Sequence, residues 1–226
     1  MLAHDRSVGV NEWKAATRLA GSQHGMITHD QLIGCGLTLG SITLGVRNGR
    51  LTRIHQGAYA VGPPSTDPRA RLLAAVLAAG GGAVLCDMSA AGHQRLIAPA
   101  PDRVSIAVPT PGGRARPGLE IHRRRLHPSE VMVFDAVPCT TPSRTILDLC
   151  ARSAALGERA VRNAGARGLL DVAALRALLT INHGRRGTAR LRLLLDGPSK
   201  RQRSREANSS ASWLPSAGAT HSRPPT

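Results

Sequence analysis

The chain has 226 residues, 42% of them hydrophobic, and a net charge of +16. That length holds one medium domain or two small ones with real cores, and the basic excess points to an anionic partner, nucleic acid first, because cations that neutralise phosphates release condensed counterions. Aromatic residues make up 2% of the chain, which argues against base-stacking surfaces, and the longest apolar run, residues 72–79, falls far short of the roughly 20 residues a bilayer crossing needs.

Charge alone does not name the partner. Lys14 and Lys200 are the only lysines, and an arginine-, alanine-, glycine- and proline-rich composition also follows from a GC-rich genome. The excess sits late in the chain, with six basic and three acidic side chains in residues 1–62 against nine and three in residues 151–198. Cys35, Cys86, Cys139 and Cys150 form no C-x-x-C pair, and the chain opens without a signal-like stretch. Free thiols in a reducing cytoplasm are expected.

Taken in chain order, Asn11 stands where it would cap a helix over residues 12–23, with Trp13, Ala16, Leu19 and Ala20 on one face. Gly25 interrupts, and Thr28 is a good N-cap for a short helix over 29–33 that Gly34 and Gly36 end. Thr38 caps a third helix over 39–48, in which Ile42 and Val46 face inward while Ser41, Thr43, Arg47 and Asn48 point out. Gly49 ends it. Short strands over 51–54 and 58–61 follow, turned at His55, Gln56 and Gly57. The pattern predicts a winged helix-turn-helix over residues 1–62, with 39–48 as recognition helix and the strand pair as wing.

A Pro-rich linker at 63–68 precedes an Ala- and Leu-rich helix over 69–79, stopped by Gly80, Gly81 and Gly82. Residues 103–108 and 119–122 read as strands across a Gly- and Pro-rich hairpin, and 131–137 as a third strand. Thr141 caps a helix over 142–151 with Pro142 at its first position. Helices over 154–164, 171–179 and 185–195 follow, the last made basic by Arg185, Arg186, Arg190 and Arg192. The fold class is α+β: a winged helix-turn-helix, a small α+β domain over 63–198 and a disordered basic tail over 199–226, whose composition cannot offset its ordering entropy.

The residues expected to meet DNA are Arg47, Arg50 and Arg53 as phosphate or groove contacts, Thr38, Ser41 and Thr43 on the helix that approaches base edges, and His55 with Gln56 at the wing tip. The competing reading is an ordinary solvated face. The basic segment 185–205 adds weak nonspecific DNA contact. No catalytic residue, metal or cofactor is expected. Asp87, Ser89 and His93 lie within seven positions, and Ser89 serves equally as a helix cap. His122, His127 and Cys139 have no zinc-site spacing.

Several stretches carry a family resemblance: residues 23–28, Gln31-Leu32, Asn48-Gly49-Arg50-Leu51, residues 57–62, residues 118–123, and residues 138–145 with Leu147-Asp148-Leu149. Over residues 15–195 the chain resembles AbiEi-type antitoxins of type IV toxin–antitoxin systems, in their actinobacterial form. The resemblance implies a non-enzymatic DNA-binding regulator that represses its own operon on double-stranded DNA, as a homodimer or paired on repeats, and that opposes a nucleotidyltransferase-type toxin indirectly. Many relatives continue into a domain resembling very-short-patch-repair endonucleases. The alternative reading is therefore the N-terminal part of such a protein, without its catalytic domain, cut off by a frameshift near residues 207–210.

Two departures from the pattern carry expectations. Relatives place arginines where this chain has Thr43, Leu44 and Gly45, and Gly40 and Gly45 each cost the helix about 1 kcal/mol relative to alanine. A winged helix that had lost DNA affinity and kept a protein-binding role fits that change. Relatives also carry Leu-Trp where this chain has His93-Gln94, which predicts disturbed packing there.

Overall fold

The computed structural model describes residues 3–99, 103–109 and 117–196; the tail expected over 199–226 lies outside the described residues. The fold is mixed α+β, with two antiparallel or mixed sheets and nine α-helices among the described residues.

The chain begins with α1 (Ala3–Gly21), β1 (Met26–Thr28), α2 (His29–Gly34), α3 (Leu39–Arg47), β2 (Leu51–His55) and β3 (Ala58–Val61). Helix α1 starts well before Asn11, which is exposed inside the helix and does not cap it. With a preceding helical turn already accepting the backbone N–H groups, no orphan donor is left for its side chain. The expected apolar face holds: Ala16 and Ala20 are buried, with Trp13 and Leu19 packed beside them.

Thr28 ends β1 and caps α2 through a reciprocal box, its hydroxyl accepting from Gln31 N at 3.1 Å while Gln31 Oε1 accepts from Thr28 N at 2.9 Å. Strand β1 joins the hairpin to give an antiparallel sheet in the order β1-β3-β2, with Ile27 opposite Tyr59 and Arg53 on the other side of the same tyrosine. Ile27, Leu32, Leu37, Ile42, Leu51 and Tyr59 close this core.

In α3 the inward pair is Ile42 and Gly45, while Val46, expected inside, is exposed. The reason lies on α1: the Trp13 indole lies against the helix backbone, and a Cβ on Gly45 would sit 2.7 Å from its ring and 3.3 Å from Leu51 Cδ1. Glycine here lets an aromatic ring approach the helix. Gly45→Ala is therefore expected to lower stability by about 1–2 kcal/mol through overpacking, despite the better helix propensity of alanine. Urea denaturation would show it as a lower midpoint, and a raised midpoint would mean that Trp13 moves aside freely.

The second half contains α4 (Pro68–Ala79), β4 (Val84–Leu85), α5 (Asp87–His93), β5 (Val104–Val108), β6 (Leu119–Arg123), β7 (Val131–Phe134), β8 (Val137–Thr140), α6 (Pro142–Arg152), α7 (Ala154–Ala166), α8 (Val172–Ile181) and α9 (Thr188–Asp196). The strands form one sheet in the order β6-β5-β4-β8-β7. Strands β5 and β6 run parallel, Val104 opposite Leu119 and Val108 opposite Arg123, so the expected hairpin is wrong. Turn-forming residues mark a change of direction without fixing how many the chain makes, and a parallel partner requires a crossover.

The single strand expected over 131–137 is instead a hairpin, β7 and β8, with Phe134 opposite Val137. Its two turn residues, Asp135 and Ala136, both adopt positive φ, 45° and 61°. That mirror-image turn normally takes Asn-Gly, and alanine there costs about 1 kcal/mol or more. The flanks hold it: Phe134 O lies 2.9 Å from His93 Nε2 and Asp135 O lies 3.1 Å from His24 Nε2.

His93 and Gln94 are thus accommodated. The His93 ring meets the Phe134 ring edge-on at 5.4 Å, and buried Gln94 donates to Thr140 O at 2.6 Å, although its Oε1 has no partner among the described residues. Ser89 is not a cap; its hydroxyl accepts from Ser105 N at 2.8 Å and fastens α5 to β5.

Helix α4, capped by Asp67, faces both sheets. Ala70 and Ala74 pack with Met26 and Ala60 of the first sheet, while Leu73, Ala75 and Val76 join the core of the second. A helix apolar on nearly all sides is what burial between two layers demands. Behind the second sheet, α6 is the hub of a helical core with α7, α8 and α9, built on Ile146, Leu147, Leu149, Leu175 and Leu191.

Candidate nucleic-acid interface

Helix α3 and the β2–β3 hairpin carry the residues expected to meet DNA. Thr38 caps α3, its Oγ1 accepting from Ser41 N at 3.1 Å and lying 3.0 Å from Ser41 Oγ. Thr43 is exposed, and its hydroxyl donates back to Leu39 O at 2.9 Å. Both hydroxyls are therefore engaged locally and would have to turn outward to meet a base edge.

The arginines divide. Arg47, in the last turn of α3, is exposed and makes no ion pair or hydrogen bond among the described residues. Arg53 projects from β2 with its guanidinium 5.9 Å from the Tyr59 ring. Arg50 turns toward α1, 5.6 Å from the Trp13 ring, and lines a groove with Lys14, Thr17 and Arg18. His55 is half-buried at the end of β2, and exposed Gln56 with Gly57 (φ 80°) makes the wing turn. Sequence reasoning missed Lys14 and Arg18; their four-residue spacing on a helix was the available signal. The exposed face of α3 also bears Leu39, Leu44 and Val46, apolar side chains unusual on a solvated helix.

The residues weighed for catalysis have other partners. Asp87 is 2.6 Å from Arg152 Nε and 4.0 Å from Arg124 Nη2. His127 caps a 3-10 turn at Pro128–Glu130. Cys139 is buried, and burial pushes its thiol up to about 11, which disfavours the thiolate that metal binding or attack requires. No group of three or more metal-ligating side chains comes together among the described residues, and no helix there is long and apolar enough to cross a membrane.

One cluster had no place in the sequence reading. Fully buried Arg144 donates to Glu130 Oε1 at 2.7 Å and to Asp148 Oδ1 at 3.2 Å. Asn182 Nδ2 also donates to Glu130 Oε1, at 3.2 Å. Burial would raise the Glu130 carboxyl, but the His127 backbone N–H and Arg144 outweigh it and hold it low. At Asp148 burial dominates and raises the carboxyl in spite of Arg144 and Arg124; Arg124 Nη1 is 3.0 Å from Asp148 Oδ2 without hydrogen-bond direction. The four-residue spacing of Arg144 and Asp148 was the one hint.

No known protein family and no curated protein matches the chain. Among solved structures, the crystal structure of the RV2827C protein from Mycobacterium tuberculosis is similar, with a TM-score of 0.51 and 21% sequence identity over 87% of this chain and 80% of that one. At that identity the likeness concerns the fold.

Proposed function

We propose that residues 1–62 form a winged helix-turn-helix that binds double-stranded DNA, in a non-enzymatic regulator of antitoxin type that represses its own operon in the cytoplasm. The observation that carries this reading is the run of elements α1-β1-α2-α3-β2-β3, in which Thr38-capped α3 presents exposed Thr43 and Arg47 and is followed directly by a hairpin carrying Arg53 and Gln56. That order supports a helix in the major groove beside a wing along the backbone. The antitoxin assignment rests on the sequence resemblance, and any effect on a nucleotidyltransferase-type toxin is indirect.

The test is binding to the chain's own upstream DNA and to scrambled DNA across a salt series. Wild type is expected to prefer the upstream DNA, and Arg47→Ala/Arg53→Ala to weaken both and lower the salt slope by about 2. An unchanged slope would remove these arginines from the interface.

A second reading draws on exposed Leu39, Leu44 and Val46: α3 as a protein-docking face in a winged helix without DNA affinity. Absent DNA binding together with salt-insensitive partner capture that Leu44→Ser abolishes would replace the first reading.

A further inference from the structure

Beside the buried cluster, the second half opens a cleft of about 460 Å³ between the end of β6, helix α6 and the loop before α9. His122 and Arg124 come from β6 and its end, Asp148 and Arg152 from α6, and Arg185 and Arg186 from the loop. The cationic side chains differ in how far they are neutralised. Arg152 is tied to Asp87 at 2.6 Å, and Arg124 lies between Asp148 and Asp87 at 3.0 and 4.0 Å. Arg185 instead donates to a neutral acceptor, Asn182 Oδ1, at 2.7 Å. Arg186 makes no ion pair or hydrogen bond among the described residues. Buried His122 Nε2 lies 3.5 Å from Glu120 Oε1 and has no hydrogen-bond partner among the described residues.

We infer that this cleft binds a phosphomonoester on a small polar molecule, held by the Arg185 and Arg186 guanidiniums at its mouth and by Arg124 within it. Three observations carry the assignment. The guanidiniums outnumber the carboxylates even when their partners behind the lining are counted, five arginines to Asp87, Asp148, Glu120 and Glu130. The two at the mouth have no carboxylate partner, and guanidinium forks match the oxygens of a phosphate. The cleft exceeds what a phosphate ion needs and leaves room for a sugar-sized group, and among the described residues its hydrophobic lining is Leu147 and Ala151 alone, which fits a small polar molecule. Burial first, then Arg144, pushes the Arg185 guanidinium below its usual value, with Asp148 and Glu130 opposing, and an anion bound there would favour its charged form. Nothing in this assignment depends on DNA binding by α3.

Calorimetric titration of the full chain with inorganic phosphate and with ribose 5-phosphate, at constant ionic strength, tests it. Both are expected to bind, and Arg185→Ala/Arg186→Ala to weaken binding tenfold or more, since a charge-assisted hydrogen bond is lost at each position. Arg185→Lys, which keeps the charge and loses the fork, is expected to fall between. Arg176→Ala, at an exposed pair with Asp196, should bind as wild type does. Tighter binding of ribose 5-phosphate identifies an ester as the ligand, and equal binding identifies free phosphate. Absence of binding by either at millimolar concentration, or equal affinity in the double variant, overturns the proposal.

Discussion

Gly187→Ala is expected to cost about 3–5 kcal/mol, because two penalties fall on one methyl group. Gly187 sits at φ 95° immediately before α9, a region in which an L side chain is strained. A Cβ there would also lie 2.6 Å from Ala151 N, 2.8 Å from Leu147 O and 3.0 Å from Ala151 Cα. All three atoms belong to the backbone of α6 and cannot swing away as a side-chain tip can. Only a shift of α9 relieves the clash, and that shift draws buried Leu191 out of the helical core. A urea series would register a much lower midpoint, and hydrogen exchange would show lost protection in α9. A change smaller than about 1 kcal/mol would mean that α9 docks less closely on α6 than described.

Arg144→Met should be nearly as damaging, by about 3–5 kcal/mol, because it leaves two buried carboxylates without their shared cation. Glu130 is 3% exposed and keeps only neutral partners without the guanidinium, while Asp148, 8% exposed, keeps Arg124 at 3.0 Å. The pH dependence carries the signature. In wild type the Glu130 carboxyl is held below its ordinary 4.5, so its contribution is present above that value and lost on acidification. Without Arg144, burial is opposed only by the His127 backbone N–H and by Asn182, and the folded-state value of Glu130 rises. The stability that Arg144 supplies is thus fully present near neutral pH and fades on acidification. The deficit of the variant against wild type should be largest near neutral pH and shrink as the pH approaches about 4.5. A deficit that stays constant between those limits would sink the account.

Much of the fold could be read from local chemistry. Thr28, Thr38 and Thr141 each accept from a backbone N–H at the start of a helix, where the sequence placed them, and Asp171 does the same for α8. The β2–β3 hairpin was marked by Gly57 at its turn. What escaped were features that tertiary packing imposes. Strands β1 and β4 are three and two residues long, too short for any periodicity to register. The β7–β8 turn is closed by Asp135 and Ala136, so no glycine announces it, and the histidines that hold it come from distant parts of the chain. Val46 was placed inside by counting four residues from Ile42, but the Trp13 ring selects Gly45, three residues on. At the candidate interface the sequence located helix α3 and the β2–β3 hairpin. It did not reveal that Arg50 turns toward α1, since that depends on where the Trp13 ring comes to rest.

Helix α4 alters what the Pro-rich stretch before it means. Such a stretch ordinarily works as a spacer that keeps the units on either side apart. Here the rod beyond it is wedged into both interiors, so the first unit is welded to the second. Grafting the first 62 residues onto another scaffold would leave Met26 and Ala60 bare. The inner faces of the two halves are thus bound to change together: a bulkier residue at Ala70 or Ala74 on the shared rod would have to be answered from the sheet of the other unit.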